Sequence, residues 1–153
     1  MDQVFTLAWQ YVAGLVETDD LPMAAARLLA DGLDSPALRD LAGRGRREDG
    51  WELEGLFRQA VAELGATVPD PESAERCRLR DLADRLAAGD GTPWQVAGWV
   101  WCALPAARTG PEREFLEAVG EEYVVVMMRD DHPEDFRAWE ARVRAAAERF
   151  SRT

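Results

Sequence analysis

Apolar residues recur at helical spacing along almost the whole chain, and this periodicity constrains the fold most. Val4, Leu7, Ala8, Tyr11, Val12 and Leu15 follow an i, i+3, i+4, i+7 pattern that places them on one side of a helix. Leu53, Leu56, Phe57, Ala60, Val61 and Leu64 repeat it and stop at Gly65. Leu79, Leu82, Ala83 and Leu86 form a third stripe, stopped by Gly89, and Phe136, Trp139, Val143, Ala146 and Phe150 form the last. Helix starts are marked as clearly. Ser35-Pro36, Asp70-Pro71 and Thr92-Pro93 each pair a capping side chain with a proline. Proline suits the first helical position because the N–H it lacks would have no intrahelical acceptor there. Thr92 with Gln95, Asp49 with Glu52, and Asp131 with Glu134 have capping-box spacing. Asp20 is placed to cap a short helix that ends near Gly32.

One stretch argues locally for a strand. Residues 121–129, EEYVVVMMR, carry a β-branched run. Phe115, Val119, Tyr123, Val126 and Met127 nevertheless continue a helical stripe across it, and no second strand is present to pair with it. The spacing therefore predicts an all-α fold. The expectation is a compact single domain, residues 1–153, of about 7–8 helices, several of them short. Residues 43–50, GRGRREDG, are expected to form a mobile loop, and residues 151–153 a frayed tail.

Residues 92–104, TPWQVAGWVWCAL, hold three of the six tryptophans and no charge. At about 100° per residue, Trp94 and Trp101 superpose while Trp99 lies about 140° away. A helix this apolar on nearly all sides is expected in the centre of its domain. Trp9, Trp51 and Trp139 fall at or near core stripes and read as structural, and Cys77 and Cys102 as buried small hydrophobes.

Charge sets the boundary on partners. The chain carries 29 acids against 18 basic residues, all arginine, for a net charge of −11. Such a surface repels nucleic acid and anionic membrane and attracts a basic partner. Nine of the acids fall within residues 111–135, against two arginines. Absence of Lys, Asn and Ile, whose codons are AT-rich, points to a bacterial genome rich in GC. No apolar run reaches the roughly 20 residues of a membrane helix, and the N-terminus has no signal-peptide pattern, so a cytoplasmic location is expected.

Candidate chemistry is sparse. The single histidine leaves any nucleophilic triad resting on His132. RDDHPED offers Asp130, Asp131, His132, Glu134 and Asp135 as metal ligands, with Glu121 or Glu122. Helix-capping roles explain the same residues, and neither HExxH nor EF-hand spacing occurs, so neither a metal nor any other cofactor is assigned. GRGRR follows no strand and lacks the ending of a phosphate loop.

GLDSPALRDLAG (32–43), LFRQAVAELG (56–65), the Trp-rich segment and DDHPEDFRAWEARVRAAA (130–147), in that order, resemble a family of small, acidic, all-helical bacterial proteins with no established activity. The chain departs from that pattern at residues 121–128, which are unusually apolar. The resemblance implies the helical fold and bacterial origin, and implies no catalytic residue.

The leading expectation is therefore a non-enzymatic interaction module, of immunity, inhibitor or adaptor type, that binds a basic protein. Its candidate face comprises Glu112, Glu114, Glu117, Glu121, Glu122, Asp130, Asp131, Glu134 and Asp135, with an edge of Trp99. Self-association is a further option. Two alternatives are a small-molecule-binding bundle with Trp94, Trp99 and Trp101 lining a pocket, and a metal-dependent enzyme built on the DDHP carboxylates.

Overall fold

The computed structural model describes residues 2–153. Among them the chain forms nine α-helices and no strand. No helix among the described residues is long and apolar enough to cross a membrane. By its internal contacts the chain divides into two compact units. One ends at Glu75 and the other spans Arg76–Thr153. Each has a buried apolar cluster of its own.

The first unit contains α1 (Gln3–Val12), a 3₁₀ turn (Thr18–Asp20), α2 (Leu21–Ala30), α3 (Pro36–Ala42) and α4 (Gly50–Glu63). Its core joins Val4 and Ala8 of α1, Leu21, Ala25 and Leu28 of α2, Leu38 and Leu41 of α3, and Leu53, Phe57 and Val61 of α4. Ser35 caps α3 as its position before Pro36 predicts, accepting the Leu38 N–H at 3.1 Å. Asp20 makes no side-chain capping bond to α2: it ends the 3₁₀ turn with helical backbone angles, φ −92° and ψ −7°, and its carboxylate pairs with Arg46. Trp51 is also misplaced by the sequence reading: it is 85% exposed in the first turn of α4. Arg44 reaches Asp40, Glu48 and Glu52, and the Gly45 N–H donates to Glu48.

The division between units falls within α5 (Pro71–Ala87), which Asp70 caps through the Ser73 N–H at 2.8 Å. α6 (Pro93–Ala103), α7 (Gly110–Val119), α8 (Glu122–Asp131) and α9 (Pro133–Ser151) complete the second unit. Leu79, Ala83, Val96, Val100, Phe115, Val119, Val125, Trp139, Val143 and Phe150 form its core. α9 packs along α7 and α8, and α6 touches α7, α8 and α9. Arg80 holds the C-terminus, lying 5.1 Å over the Phe150 ring and donating to the Ser151 carbonyl at 3.1 Å.

The count of nine exceeds the expected 7–8 partly because the stripe from Phe115 to Met127 is not one helix. Gly120 breaks it at φ 70° and ψ −160°, a conformation open essentially to glycine alone. The break resets the register. Val125 becomes the buried residue of α8, and Tyr123 and Met127 turn outward. A second junction also differs from expectation. Asp131 is the last residue of α8 rather than the cap of α9; His132 occupies that position and makes no side-chain capping bond.

Candidate functional site

The chemistry-bearing residues of the second unit sort into three groups once their surroundings are known. The first comprises acids that are structural. Glu112 is only 4% exposed. It sits at the third position of α7 in a capping box with Thr109, accepting the Thr109 N–H at 3.0 Å while its own N–H donates to the Thr109 hydroxyl at 3.3 Å. The Arg108 N–H donates to it at 2.7 Å, and Arg76 of α5 donates to its Oε1 from Nε at 2.9 Å and Nη2 at 2.8 Å. Burial pushes the carboxyl pKa upward, but these donors outweigh it and hold the group below the ordinary glutamate value. Glu112 therefore leaves the candidate face. The signal was present in the sequence as T-x-x-E at residues 109–112, the capping-box spacing. Glu114 is exposed but paired with Arg149 at 2.7 Å.

The second group is aromatic. Trp94 meets Trp101 edge-on at 5.6 Å and Phe136 at 5.9 Å, and Phe136 lies 5.2 Å from Trp139. The Arg129 guanidinium covers Trp94 at 4.2 Å. Two indole N–H groups serve the C-terminal end of α7: Trp101 donates to the Gly120 carbonyl at 2.9 Å and Trp139 to the Val119 carbonyl at 3.0 Å. Carbonyls at a helix end have no intrahelical donor, so these bonds satisfy groups that would otherwise need water. Trp94 and Trp101 thus pack together, without Trp99. Nor is α6 buried all round. Its buried residues are Pro93, Val96, Ala97 and Val100, its three tryptophans are half-buried, and Cys102 is exposed. Trp99 faces the other way, 4.8 Å beneath Arg78 of α5.

The third group lies on α8. Tyr123 is 74% exposed, Val124 49% and Met127 42%. Positions three and four apart on a helix are neighbours, so these three make one continuous apolar strip. Glu121 and Glu122 stand exposed at its start, and Asp130 and Asp131 continue the same rows at its end. Glu117 precedes the strip, and Glu134 and Asp135 follow it in the first turn of α9, all exposed. Asp130 is bonded by Arg129 at 3.1 Å. The acids are legible in the sequence, but the apolar strip among them is not, because helical periodicity carries Tyr123 and Met127 inward along a stripe that Gly120 interrupts.

The DDHP residues are not gathered into a ligand set. Among the described residues no group of three or more His, Cys, Asp or Glu side chains is placed to hold a metal ion. Cys77 is half-buried, and burial raises its thiol pKa against the smaller opposing effect of Arg76. No family model matches the chain, and no curated protein or solved structure matches it.

Proposed function

We propose that the chain is a non-enzymatic interaction module that binds a basic protein through α8. The observation that carries this reading is the exposed strip of Tyr123, Val124 and Met127 within a frame of carboxylates. Isolated apolar residues on a surface are ordinary, but a contiguous strip rimmed by one sign of charge is the composition of an interface. Tyr123 is the anchor, and Glu117, Glu121, Glu122, Asp130, Asp131, Glu134 and Asp135 supply the field that steers a basic surface onto it. Like charges argue against a symmetric pairing of this face with a second copy, since each carboxylate would meet its own kind. The complement is an apolar side chain flanked by Lys or Arg. An immunity-type or inhibitor-type role against a basic target fits the size and charge of the chain.

The test is affinity capture from bacterial lysate at low and high salt, with wild type, a Tyr123→Ala/Met127→Ala variant and a Glu121→Gln/Glu122→Gln/Asp131→Asn variant. Wild type should retain one stoichiometric basic protein that high salt releases. Both variants should lose it. Retention of the same protein by the apolar variant would overturn the assignment to α8.

A further inference from the structure

A second feature of the same unit belongs to neither the aromatic cluster nor α8. Between α5 and the N-terminal half of α6 lies a cavity of about 310 Å³. Leu82 and Val96 supply its apolar surface, Trp99 and Arg78 adjoin one another in its lining, and Arg85 and Gln95 contribute polar groups. That volume is at the small end of the range for ligand pockets, about 300–1,000 Å³.

Arg78 sets this cavity apart. Many arginines of the second unit are matched to carboxylates: Arg76 to Glu112, Arg80 to Asp84, Arg85 to Asp81 and Asp90, Arg129 to Asp130, and Arg149 to Glu114. Arg78 is half-buried and has no carboxylate partner among the described residues, in a chain with a large acidic excess. Burial without a counter-charge pulls its pKa below the ordinary arginine value. Its guanidinium carbon lies 4.8 Å from the centre of the Trp99 ring. Its N–H donors have no acceptor among the described residues, which leaves them for bidentate capture of a carboxylate. The Gln95 side-chain oxygen accepts the Thr92 N–H at 3.0 Å, and the Gln95 amide donors have no protein acceptor among the described residues. Asp90, the one acid of the lining, is neutralised by Arg85 at 3.5 Å.

We infer that this cavity binds a small organic monocarboxylate, with the carboxylate on Arg78 and Gln95 and an apolar body against Leu82, Val96 and Trp99. One unspent guanidinium matches one carboxylate, whereas a phosphate would call for more positive charge than the lining offers. The apolar part of the cavity excludes a bare inorganic anion as a good fit.

Phenylacetate is a suitable probe, with phenylacetamide as its neutral isostere, followed by calorimetry and by the indole N–H resonance of Trp99, assigned with Trp99→Phe. Phenylacetate should saturate one site and shift that resonance; phenylacetamide should bind at least about tenfold more weakly. Arg78→Gln should cause a similar loss, and Arg137→Gln, an exposed control, should not. Because Arg78 is an uncompensated charge, Arg78→Gln should leave the melting temperature unchanged or raised, which separates a binding role from a structural one. Absence of saturable binding, equal binding of the amide, or undiminished binding by Arg78→Gln would each overturn the inference. The site is independent of α8, so Tyr123→Ala/Met127→Ala should bind phenylacetate like wild type.

Discussion

α6 and α8 are short helices of the same unit, each rich in large apolar residues, and they use that apolar surface in opposite ways. α6 carries three tryptophans and reads as the more sociable helix. Its indoles are nevertheless committed: Trp94 and Trp101 to each other and to Phe136, Trp101 through its N–H to Gly120, and Trp99 to Arg78. α8 buries only Val125 and leaves Tyr123, Val124 and Met127 outside. The lesson is that aromatic content does not measure exposed apolar surface. What the core leaves outside depends on how each helix is turned against it.

Substitution on the two helices is the most direct way to break this comparison. Trp94→Ala should cost about 2–3 kcal/mol, somewhat less than removal of a fully enclosed ring. Tyr123→Ala should stay within about 0.5 kcal/mol, as a surface change does. Chemical denaturation monitored by circular dichroism would measure both. Equal losses would mean that Tyr123 packs as a core residue and that the contrast is false.

The next effect concerns α7, which joins the two helices. Glu112→Gln should cost about 2 kcal/mol, by weakening the hydrogen bonds from Arg76 and two backbone amides. The sign of its pH dependence follows from the depressed pKa in the folded state. The carboxylate's contribution is complete above the unfolded glutamate pKa of about 4.3 and is lost as pH falls through the lower folded value. The gap in stability between wild type and Glu112→Gln should therefore close only in acid. A gap that stayed constant down to the acid transition would remove the carboxylate from the account.

The smallest effects test whether indole N–H groups matter beyond their rings. Trp101→Phe deletes the bond to Gly120 and should cost about 1 kcal/mol. Trp9 is also buried, but its N–H has no hydrogen-bond partner among the described residues. Trp9→Phe removes an unsatisfied N–H but also ring volume from a closed core, so it should cost about 1–2 kcal/mol in the same assay, from the cavity and not from a hydrogen bond. Exchange of the Trp9 indole proton separates the two cases, since no acceptor holds it.

Much of the helical framework was legible because its signals are local. Ser35, Asp70 and Thr92 each cap the helix that begins at the following proline, and each bond spans three residues. What escaped the sequence depends on distant partners or on a single backbone angle. T-x-x-E at residues 109–112 marks Glu112 as a capping residue, but its burial follows only when Arg76, 36 positions away, is brought against it. Trp51 is different: it stands two residues before Leu53, about 200° around the helix from it, so its outward position was already present in the spacing. The strip on α8 was invisible because periodicity alone passes through Gly120 without registering the rotation it imposes. Nor does an apolar pattern say how many cores its stripes will form, and here they form two.

The single glycine between α7 and α8 also has a mechanical consequence. Its carbonyl is held by the Trp101 indole, and the carbonyl before it by Trp139. The turn is thus pinned at two successive carbonyls, and both donors are chromophores. A partner that drew the Gly120 turn off α6 would break the Trp101 bond, whereas a partner that only lands on the outer strip of α8 would leave both bonds in place. Emission from Trp101 and Trp139, and exchange of their indole protons with solvent, would tell these two modes of engagement apart without any label being added to the protein.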